Sequence, residues 1–262
     1  MSAKDEGRGA NFVMQSDTET AITFTDARNG RRAQDPLLSF DGALAELQRV
    51  VDHLVARLDR PRVLDAGCGA QMYLRLPAGA HVVGIDISEA QLDQNGTVDE
   101  RIVGDIQTFP LPADEFDLVV CWDVLEHLRR PRAALDNLAQ AVRRGGLLVI
   151  GGPNALSLKG LATWLTPFWA HQLWYRLSRR GHRPFRTYRR VSALPRPIES
   201  WSRDRFRATE YSLVYESPLQ RDFRQRFGLD GRIWSPAVHA VRGLSGGHLD
   251  LAATDFMLVL RR

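Results

Sequence analysis

The chain has few cysteines, no long apolar run and no recognisable leader. Its 262 residues include only two cysteines, Cys68 and Cys121, which are too few for a disulfide framework and stand in no metal-binding spacing. No segment approaches the roughly 20 apolar residues of a membrane-spanning helix, and the first residues lack the apolar core of a signal peptide. These absences exclude a disulfide-stapled secreted domain and favour the reducing cytoplasm.

Charge of neither sign dominates. Thirty-five basic residues stand against 31 acidic ones, and arginine outnumbers lysine by 33 to 2. No nucleic-acid-binding module or separate basic domain is recognisable, so we expect no nucleic acid partner. The hydrophobic content of 44% is enough for one large core and leaves room for a small appended unit, and a single catalytic domain is the expected organisation.

The pattern of polar and apolar residues divides the chain into parts. Residues 1–38 are polar and predict a flexible N-terminal arm or partial cap. Residues 39–262 predict one domain, which begins with an amphipathic helix from Asp41 that runs to about Leu58, before Pro61. Within it, residues from about 155 to 216 are too many for a plain loop, and they predict an inserted lid over the functional site.

The most informative segment, VLDAGCG at 63–69, is an apolar strand that ends in small residues. Ala66, Gly67 and Gly69 let the backbone pass close to a ligand, where larger side chains would clash. A second strand at 82–85 brings Asp86 nineteen residues after Gly67, the separation at which an acid accepts hydrogen bonds from ribose hydroxyls. The pair predicts a nucleoside-binding turn. The alternative is an ordinary α/β turn whose glycines serve only packing.

Two residues argue against a dinucleotide. Asp65 stands at the mouth of the turn, where its carboxylate repels a pyrophosphate, and Met72 occupies the position of the fingerprint's third small residue. A ligand with an ammonium and a sulfonium and no phosphate, such as S-adenosyl-L-methionine (SAM), suits this turn better. The segment resembles the first two motifs of class I SAM-dependent methyltransferases of the small-molecule branch. The resemblance implies cofactor contacts from Asp65, Ala66, Gly67, Gly69, Asp86 and Ile87.

The segment at 101–128, RIVGDIQTFPLPADEFDLVVCWDVLEHL, is similar to the third and fourth motifs of the same family. The similarity implies that Asp105 accepts a hydrogen bond from the adenine amino group and that Ile106 packs on the adenine face. It also implies that Cys121, Trp122 and Asp123 line the cleft near the methyl group. Taken singly, Asp105 is equally a helix cap and Trp122 a core residue, but four signals in the right order favour the family.

The resemblance implies an α/β fold with a doubly wound, seven-stranded, mostly parallel sheet, helices on both faces, an inserted helical or loop lid and an antiparallel final strand. The sequence predicts a helix of about two turns before Pro77 and a helix at 131–144 with arginines in its last turn. It further predicts a fifth strand between Gly-Gly turns at 145–146 and 151–152. Residues 217–234 predict a helix, a turn and a strand, and residues 255–260 a last strand.

The sequence DVLEH at 123–127 contains the candidate catalytic side chains. Its spacing places Asp123, Glu126 and His127 on one face of a helix start. His127 then acts as a general base oriented by a carboxylate. Alternatively, the segment resembles O-methyltransferases that bind a divalent cation through a Glu-x-x-Glu-His set, and this resemblance implies that the three side chains ligate a cation, although Asp123 is shorter than the glutamate of that set. A third interpretation is that Glu126 and His127 only cap the helix. We favour a base without a metal ion, and His171 in the lid is a second candidate base.

The lid is rich in aromatic residues and arginine, with seven arginines and no acid between His171 and Arg190. Three interpretations remain. The segment is a solvated basic face, or an acceptor pocket whose aromatic faces pack on a ring while guanidiniums bind carboxylate or phosphate, or a surface that attaches to an anionic membrane. We favour the pocket over the membrane contact. A subunit contact through the aromatic side chains would make the protein an oligomer.

The sequence therefore predicts methyl transfer from SAM to a small-molecule acceptor by in-line displacement. A hydroxyl of a saccharide or other secondary metabolite is the expected acceptor. The alternatives are N- or C-methylation, or a SAM-binding fold that catalyses a different reaction or assembles at a membrane surface.

Overall fold

The computed structural model describes residues 38–154, 157, 187–188, 193–229, 231–246 and 251–262. The strands are β1 Arg62–Ala66, β2 His81–Asp86, β3 Glu100–Val103, β4 Phe116–Trp122, β5 Val142–Pro153, β6 Ala208–Tyr215 and β7 Asp255–Arg261. The helices are α1 Phe40–Val55, α2 Glu89–Leu92, α3 Pro131–Ala141, α4 Pro195–Ser202, α5 Pro218–Arg226 and α6 Gly231–Leu244, with a 3₁₀ turn at Leu125–His127.

The seven strands form one sheet in the order β3-β2-β1-β4-β5-β7-β6. Neighbours from β3 to β5 pair in parallel, and β7 runs antiparallel to both β5 and β6. The strand order reverses between β1 and β4, which places the carboxyl ends of these two strands at the topological switch point where such sheets bind ligands. The prediction of a doubly wound, mostly parallel sheet is confirmed.

Apolar side chains fill both faces of the sheet. On one face, α1 buries Leu47, Val50 and Val51 against alternate residues of the central strands. On the other face, α3 and α4 pack over residues such as Leu64 and Ile150. Because both faces are covered, the central strands are apolar at nearly every position, as is typical of a parallel sheet.

Helix α1 shows how the local sequence sets an element's start. The Ser39 hydroxyl accepts a hydrogen bond from the Gly42 amide at 3.1 Å and thereby caps the first turn. Asp41 adds a negative charge in that turn, where it interacts favourably with the positive end of the helix dipole. The helix ends at Val55, one turn short of the predicted end at Leu58, and the chain turns there towards β1.

Two predicted helix features are wrong. No helix forms in the described connection between β1 and β2, where two turns were predicted before Pro77. The amide and carbonyl of Arg75 are instead bound by the Gln48 side chain. Arg143 lies in β5 rather than in the last turn of α3, and it pairs there with Asp117.

The predicted turn at Gly145–Gly146 lies within β5, where the register with β4 shifts between Phe116 and Leu118. Gly146 leaves no room for a side chain, because a Cβ there would stand only 2.9–3.0 Å from the carbonyl oxygens of Phe116, Asp117 and Arg143.

The last third of the chain also differs from the prediction. Residues 231–234 begin helix α6 and not a strand. The sheet is completed instead by β6, which lies inside the region predicted as an insertion at 155–216. The sequence of β6, ATEYSLVY, alternates between half-buried and buried positions as an edge strand does. Residues 1–37, the arginine-rich segment and His171 lie outside the described residues.

None of the helices in the described ranges is both long enough and apolar enough to cross a bilayer.

Candidate functional site

The turn after β1 brings the backbone to the carboxyl edge of the sheet. Gly67 adopts φ +75° and donates a hydrogen bond from its amide to the Ile85 carbonyl at 2.7 Å. A Cβ at this position would lie 2.9 Å from Cγ1 of Val124 and still closer to Cγ2. The turn therefore requires glycine for its backbone angle and for its contact with the loop after β4.

Asp86 fixes the shape of this turn. Its Oδ2 accepts a hydrogen bond from the Gly69 amide at 3.0 Å, and its Oδ1 accepts one from the Ser88 amide at 2.8 Å. The carboxylate is only 8% exposed. The second predicted acid thus lies beside the first motif, as expected, and it also holds the loop that a ribose would approach.

Asp65 is the electrostatic centre of the site. Its carboxylate is buried at the end of β1, and Oδ2 has no hydrogen-bond partner among the described residues. Burial, and secondly the negative charge of Asp86, raise the pKa of Asp65 to about 7. A buried carboxylate without a counter-charge is costly, so this arrangement favours a bound cation.

The apolar side chains available to contact an adenine ring, near the ends of β2 and β3, are not all those that the sequence predicted. Ile87 is 64% exposed and Val103 is 56% exposed, whereas Ile106 is only 3% exposed and packs in the core. Ile106 therefore has little surface to offer a ligand, although its role at an adenine ring stays untested. Asp105 accepts hydrogen bonds from the backbone and side chain of Gln107 at 2.9 Å, so it also caps its own turn.

The end of β4 presents a tightly packed pair. Cys121 is fully buried, and burial with the nearby charges of Glu126 and Asp65 raises the pKa of its thiol far above the ordinary range. This cysteine therefore stays protonated and unreactive. The Trp122 ring lies over Gly151, where a Cβ would meet ring atoms at 2.6–2.8 Å. Trp122 is 7% exposed and thus mainly shapes the floor of the cleft.

Four aromatic side chains form a wall at this edge, which we call the aromatic wall. Phe40 lies 5.9 Å from both Tyr73 and Tyr215, and Tyr73 lies 5.5 Å from Trp122, measured between ring centroids. Burial raises the pKa values of both tyrosines, and the negative charge of Asp123 adds to the rise. Both hydroxyls therefore stay protonated. Tyr73 is 39% exposed and can donate a hydrogen bond to an acceptor molecule, whereas Tyr215 is buried against Phe40.

Asp123 adopts the left-handed conformation, with φ +54°, directly after β4. Its amide donates a hydrogen bond to the Gly151 carbonyl at 3.0 Å, which holds this conformation in place. A non-glycine residue at positive φ is uncommon, and such residues concentrate at functional sites.

Glu126 and His127 lie in the 3₁₀ turn, so they do not share a helix face with Asp123 as predicted. The Nε2 atom of His127 is 3.7 Å from Oε1 of Glu126, and both side chains are partly accessible. Among the described residues, no cluster of three His, Cys, Asp or Glu side chains is arranged to hold a metal ion. The geometry thus brings His127 and Glu126 together.

Two polar residues that the sequence did not single out hold the site together. Gln48 on α1 accepts a hydrogen bond from the Arg75 amide at 2.8 Å and donates one to the Arg75 carbonyl at 2.9 Å. Asn95 donates to the Gly69 carbonyl at 3.1 Å and is completely buried. A polar residue on the apolar face of α1 was the available signal for Gln48. No comparable signal marked Asn95.

We expect Gly67→Ala to cost roughly 2–5 kcal/mol of stability, from the left-handed backbone and the clash with Val124. The single variant Val124→Ala should lose less stability than Gly67→Ala. In the double variant part of the stability lost by Gly67→Ala should return, because the contact with the Val124 Cγ atoms is removed while the backbone strain remains. Urea unfolding of the four proteins measures the coupling. Strictly additive losses would contradict the contact between the two loops.

A family model described as "Methyltransferase domain" matches residues 42–230. A ubiquinone biosynthesis O-methyltransferase from Aromatoleum aromaticum is 38% identical over 101 residues, which cover 35% of this chain and 43% of that protein. A protein of the same description from Coxiella burnetii is 26% identical over 170 residues, which cover 62% of this chain and 70% of that protein.

The chain thus spans less than half the length of the first of these relatives. Among solved structures, a SAM dependent methyltransferase from Archaeoglobus fulgidus superposes with a TM-score of 0.54 at 19% identity, covering 84% of this chain and 93% of that one. At this identity the likeness shows a shared fold.

Proposed function

Because this chain belongs to the methyltransferase domain family, with residues 42–230 matching the family model, we propose that it transfers a methyl group from SAM to a hydroxyl of a small molecule. The observation that carries the proposal is the buried Asp65 carboxylate, whose Oδ2 lacks a partner among the described residues and whose pKa is raised to about 7. A cationic amino group is the natural complement of such a carboxylate.

The residues of the turn fit SAM. Asp65 would bind the ammonium, Gly67 and Gly69 allow close backbone approach at positive φ, and Asp86 would face the ribose. Ile87 and Val103 offer exposed apolar surface for a base. When bound, SAM supplies an electrophilic methyl group on a sulfonium. The chain's own contribution is to fix the direction of attack, since in-line displacement depends on positioning.

We propose that the acceptor binds at the aromatic wall, beside the end of β4. Aromatic faces pack well on the flat surfaces of sugar or aromatic rings, and the protonated hydroxyl of Tyr73 can orient an oxygen. His127 would remove the acceptor's proton, with Glu126 orienting the imidazole. A saccharide or other secondary metabolite stays our proposed acceptor, and the O-methyltransferase names of the relatives favour oxygen over nitrogen or carbon.

Both cysteines are free thiols, which suits the reducing cytoplasm in which we place the reaction.

Calorimetric titration with SAM and S-adenosylhomocysteine tests the cofactor, and methyl release to a panel of hydroxyl compounds tests the transfer. We expect Asp86→Ala to lose binding and the exposed neighbour Asp93→Ala to retain it. Unfolding curves of both variants separate lost binding from lost folding. If the wild-type chain binds no cofactor even at millimolar concentration, the proposal fails. Binding without transfer to any acceptor would instead indicate a SAM-binding fold with another task.

A chelator tests whether the reaction requires a divalent cation. Since the described residues include no three-ligand cluster, we propose a metal-independent reaction, and we expect the rate with a chelating agent to equal the rate without it. A loss of activity that Mg²⁺ or Mn²⁺ restores would contradict this expectation.

A further inference from the structure

One described residue of the region predicted as a lid lies against the turn that carries His127. Tyr188 is half-buried, and between residues 158 and 192 the structure describes only this residue and Thr187. Tyr188 contacts Glu126 and also Arg129, which lies 59 residues before it in the chain. The proposed reaction has given Tyr188 no part so far.

The 3₁₀ turn that carries His127 makes few backbone hydrogen bonds of its own. The His127 amide donates to the Val124 carbonyl at 2.8 Å, and the bond one residue further on is 3.3 Å long. At Leu128 the backbone becomes extended, with φ −93° and ψ 142°, so the Glu126 carbonyl lies past the last bond of the turn. The Tyr188 amide donates to this carbonyl at 2.6 Å. A residue distant in sequence therefore completes the backbone hydrogen bonding of the turn.

The side chain of Tyr188 makes a second contact on the other side of His127. The Nε atom of Arg129 donates to the Tyr188 hydroxyl at 3.1 Å, and the guanidinium lies 5.8 Å from the centre of the ring. The aromatic face and the hydroxyl oxygen both attract the cation. Tyr188 thus binds the chain one residue before His127 and two residues after it.

The turn is fixed on its core side and open on its site side. Leu125 and Leu128, 3% and 8% exposed, pack in the core. The side chains of His127 and Glu126 are 31% and 15% exposed. Since the imidazole is only partly buried, its position depends on how firmly the backbone of the turn is held.

We propose that Tyr188 is a positioning residue for the base, because it binds the turn on both sides of His127 and so holds the imidazole in place at the acceptor. This role rests on the proposed function, in which His127 removes the acceptor's proton. Tyr188 acts through the turn and takes no part in the chemistry itself. It should therefore affect the rate only while His127 is present.

Single-turnover methyl transfer by a cycle of variants tests this dependence. Tyr188→Ala should lower the rate roughly 10-fold to 100-fold, because moving a reacting group by about 1 Å has an effect of that size. In a His127→Gln background the same change should have less than about a twofold effect, since no base remains to be positioned. Tyr188→Phe should recover most of the rate, because it keeps the amide and the ring. The affinity of every Tyr188 variant for SAM should equal that of the wild type.

Two matched variants serve as controls for the rate. Arg130→Gln removes the neighbouring exposed charge, and Phe227→Ala removes an exposed aromatic ring elsewhere. Both should react at the wild-type rate, and unfolding curves confirm that all variants fold. Equal losses from Tyr188→Ala with and without His127 would overturn the proposal, and so would a wild-type rate for Tyr188→Ala. A raised acceptor KM at an unchanged rate would also overturn it, since Tyr188 would then contact the acceptor.

A spectroscopic measurement separates this role from the proposed function. In the ligand-free protein made with isotope-labelled histidine, the ring signals of His127 are identified by their loss in His127→Gln. They should shift in Tyr188→Ala and stay in place in Arg130→Gln, because only the first change releases the turn. Unchanged His127 signals in Tyr188→Ala would overturn the positioning role even in an active methyltransferase. Shifted signals in a chain that transfers no methyl group would support the positioning contact and overturn the proposed function alone.

Discussion

We expect Asp65→Asn to lose at least about 100-fold in affinity for SAM while the ligand-free protein becomes more stable at pH 8. The affinity falls because removing one partner of a buried ion pair typically costs about 3–5 kcal/mol. The stability rises because asparagine avoids the cost of ionising a buried carboxyl group whose pKa is raised from 3.8 to about 7. That difference corresponds to at most about 4 kcal/mol.

The pH dependence follows from the direction of this shift. Since the pKa of Asp65 is higher in the folded than in the unfolded state, its contribution to stability is fully present below about pH 4 and is lost as the pH rises to about 7. The free energy of unfolding of the wild type, minus that of Asp65→Asn, should therefore decrease as the pH rises from about 4 to about 7. Urea titrations of both proteins at several pH values measure it.

Cofactor binding should show the opposite trend with pH. Because only ionised Asp65 pairs with an ammonium, the affinity of the wild type should rise through about pH 7 and then level off. Calorimetry in buffers of different ionisation enthalpy should detect the proton that leaves Asp65 on binding. An affinity of Asp65→Asn equal to that of the wild type at pH 8 would show that this carboxylate does not bind the cofactor.

We expect His127→Gln to lower kcat by roughly 100-fold to 10,000-fold, the usual contribution of a general base. The affinity for SAM should stay unchanged, because the side chain lies in the turn after β4 and not in the turn after β1. Single-turnover rates and calorimetric titration with SAM measure the two quantities.

Three further variants separate the candidates for the base. His53→Gln changes an exposed histidine on α1 and should leave the rate unchanged. Glu126→Gln should give an intermediate loss, because His127 keeps its ring but loses the carboxylate at 3.7 Å. Asp123→Asn should mainly alter acceptor KM through the aromatic wall. If Asp123→Asn abolishes turnover while His127→Gln does not, Asp123 is the base.

The turn after β1 was predictable because its signals are local. Gly67, Gly69 and Asp86 are set by backbone angle, close approach and the spacing of two neighbouring strands, and all three come together as expected. The sheet was predictable for a similar reason. Long apolar runs without helical spacing mark buried parallel strands.

The sequence predictions failed where contacts between residues far apart in the chain determine the structure. The alternation in β6 was hidden because residues 198–217 contain no glycine or proline to mark where a strand begins, and pairing with β7 gives β6 its place in the sheet. Gln48 and Asn95 act through partners that are 27 and 26 residues away along the chain, respectively, which no local pattern reveals. Likewise, the pairing of His127 with Glu126 depends on a 3₁₀ turn where helical spacing had been assumed.

The connection between β1 and β2 has a consequence for motion. Without a helix, its backbone is held mainly by side chains, namely Gln48 at Arg75, Asn95 at Gly69 and Asp86 at the same glycine. Such a segment opens locally at a lower free-energy cost than the surrounding sheet. Its amides should exchange hydrogen with solvent early in the ligand-free protein and slowly once a cofactor bridges the turn, so binding would complete the folding of this part of the molecule.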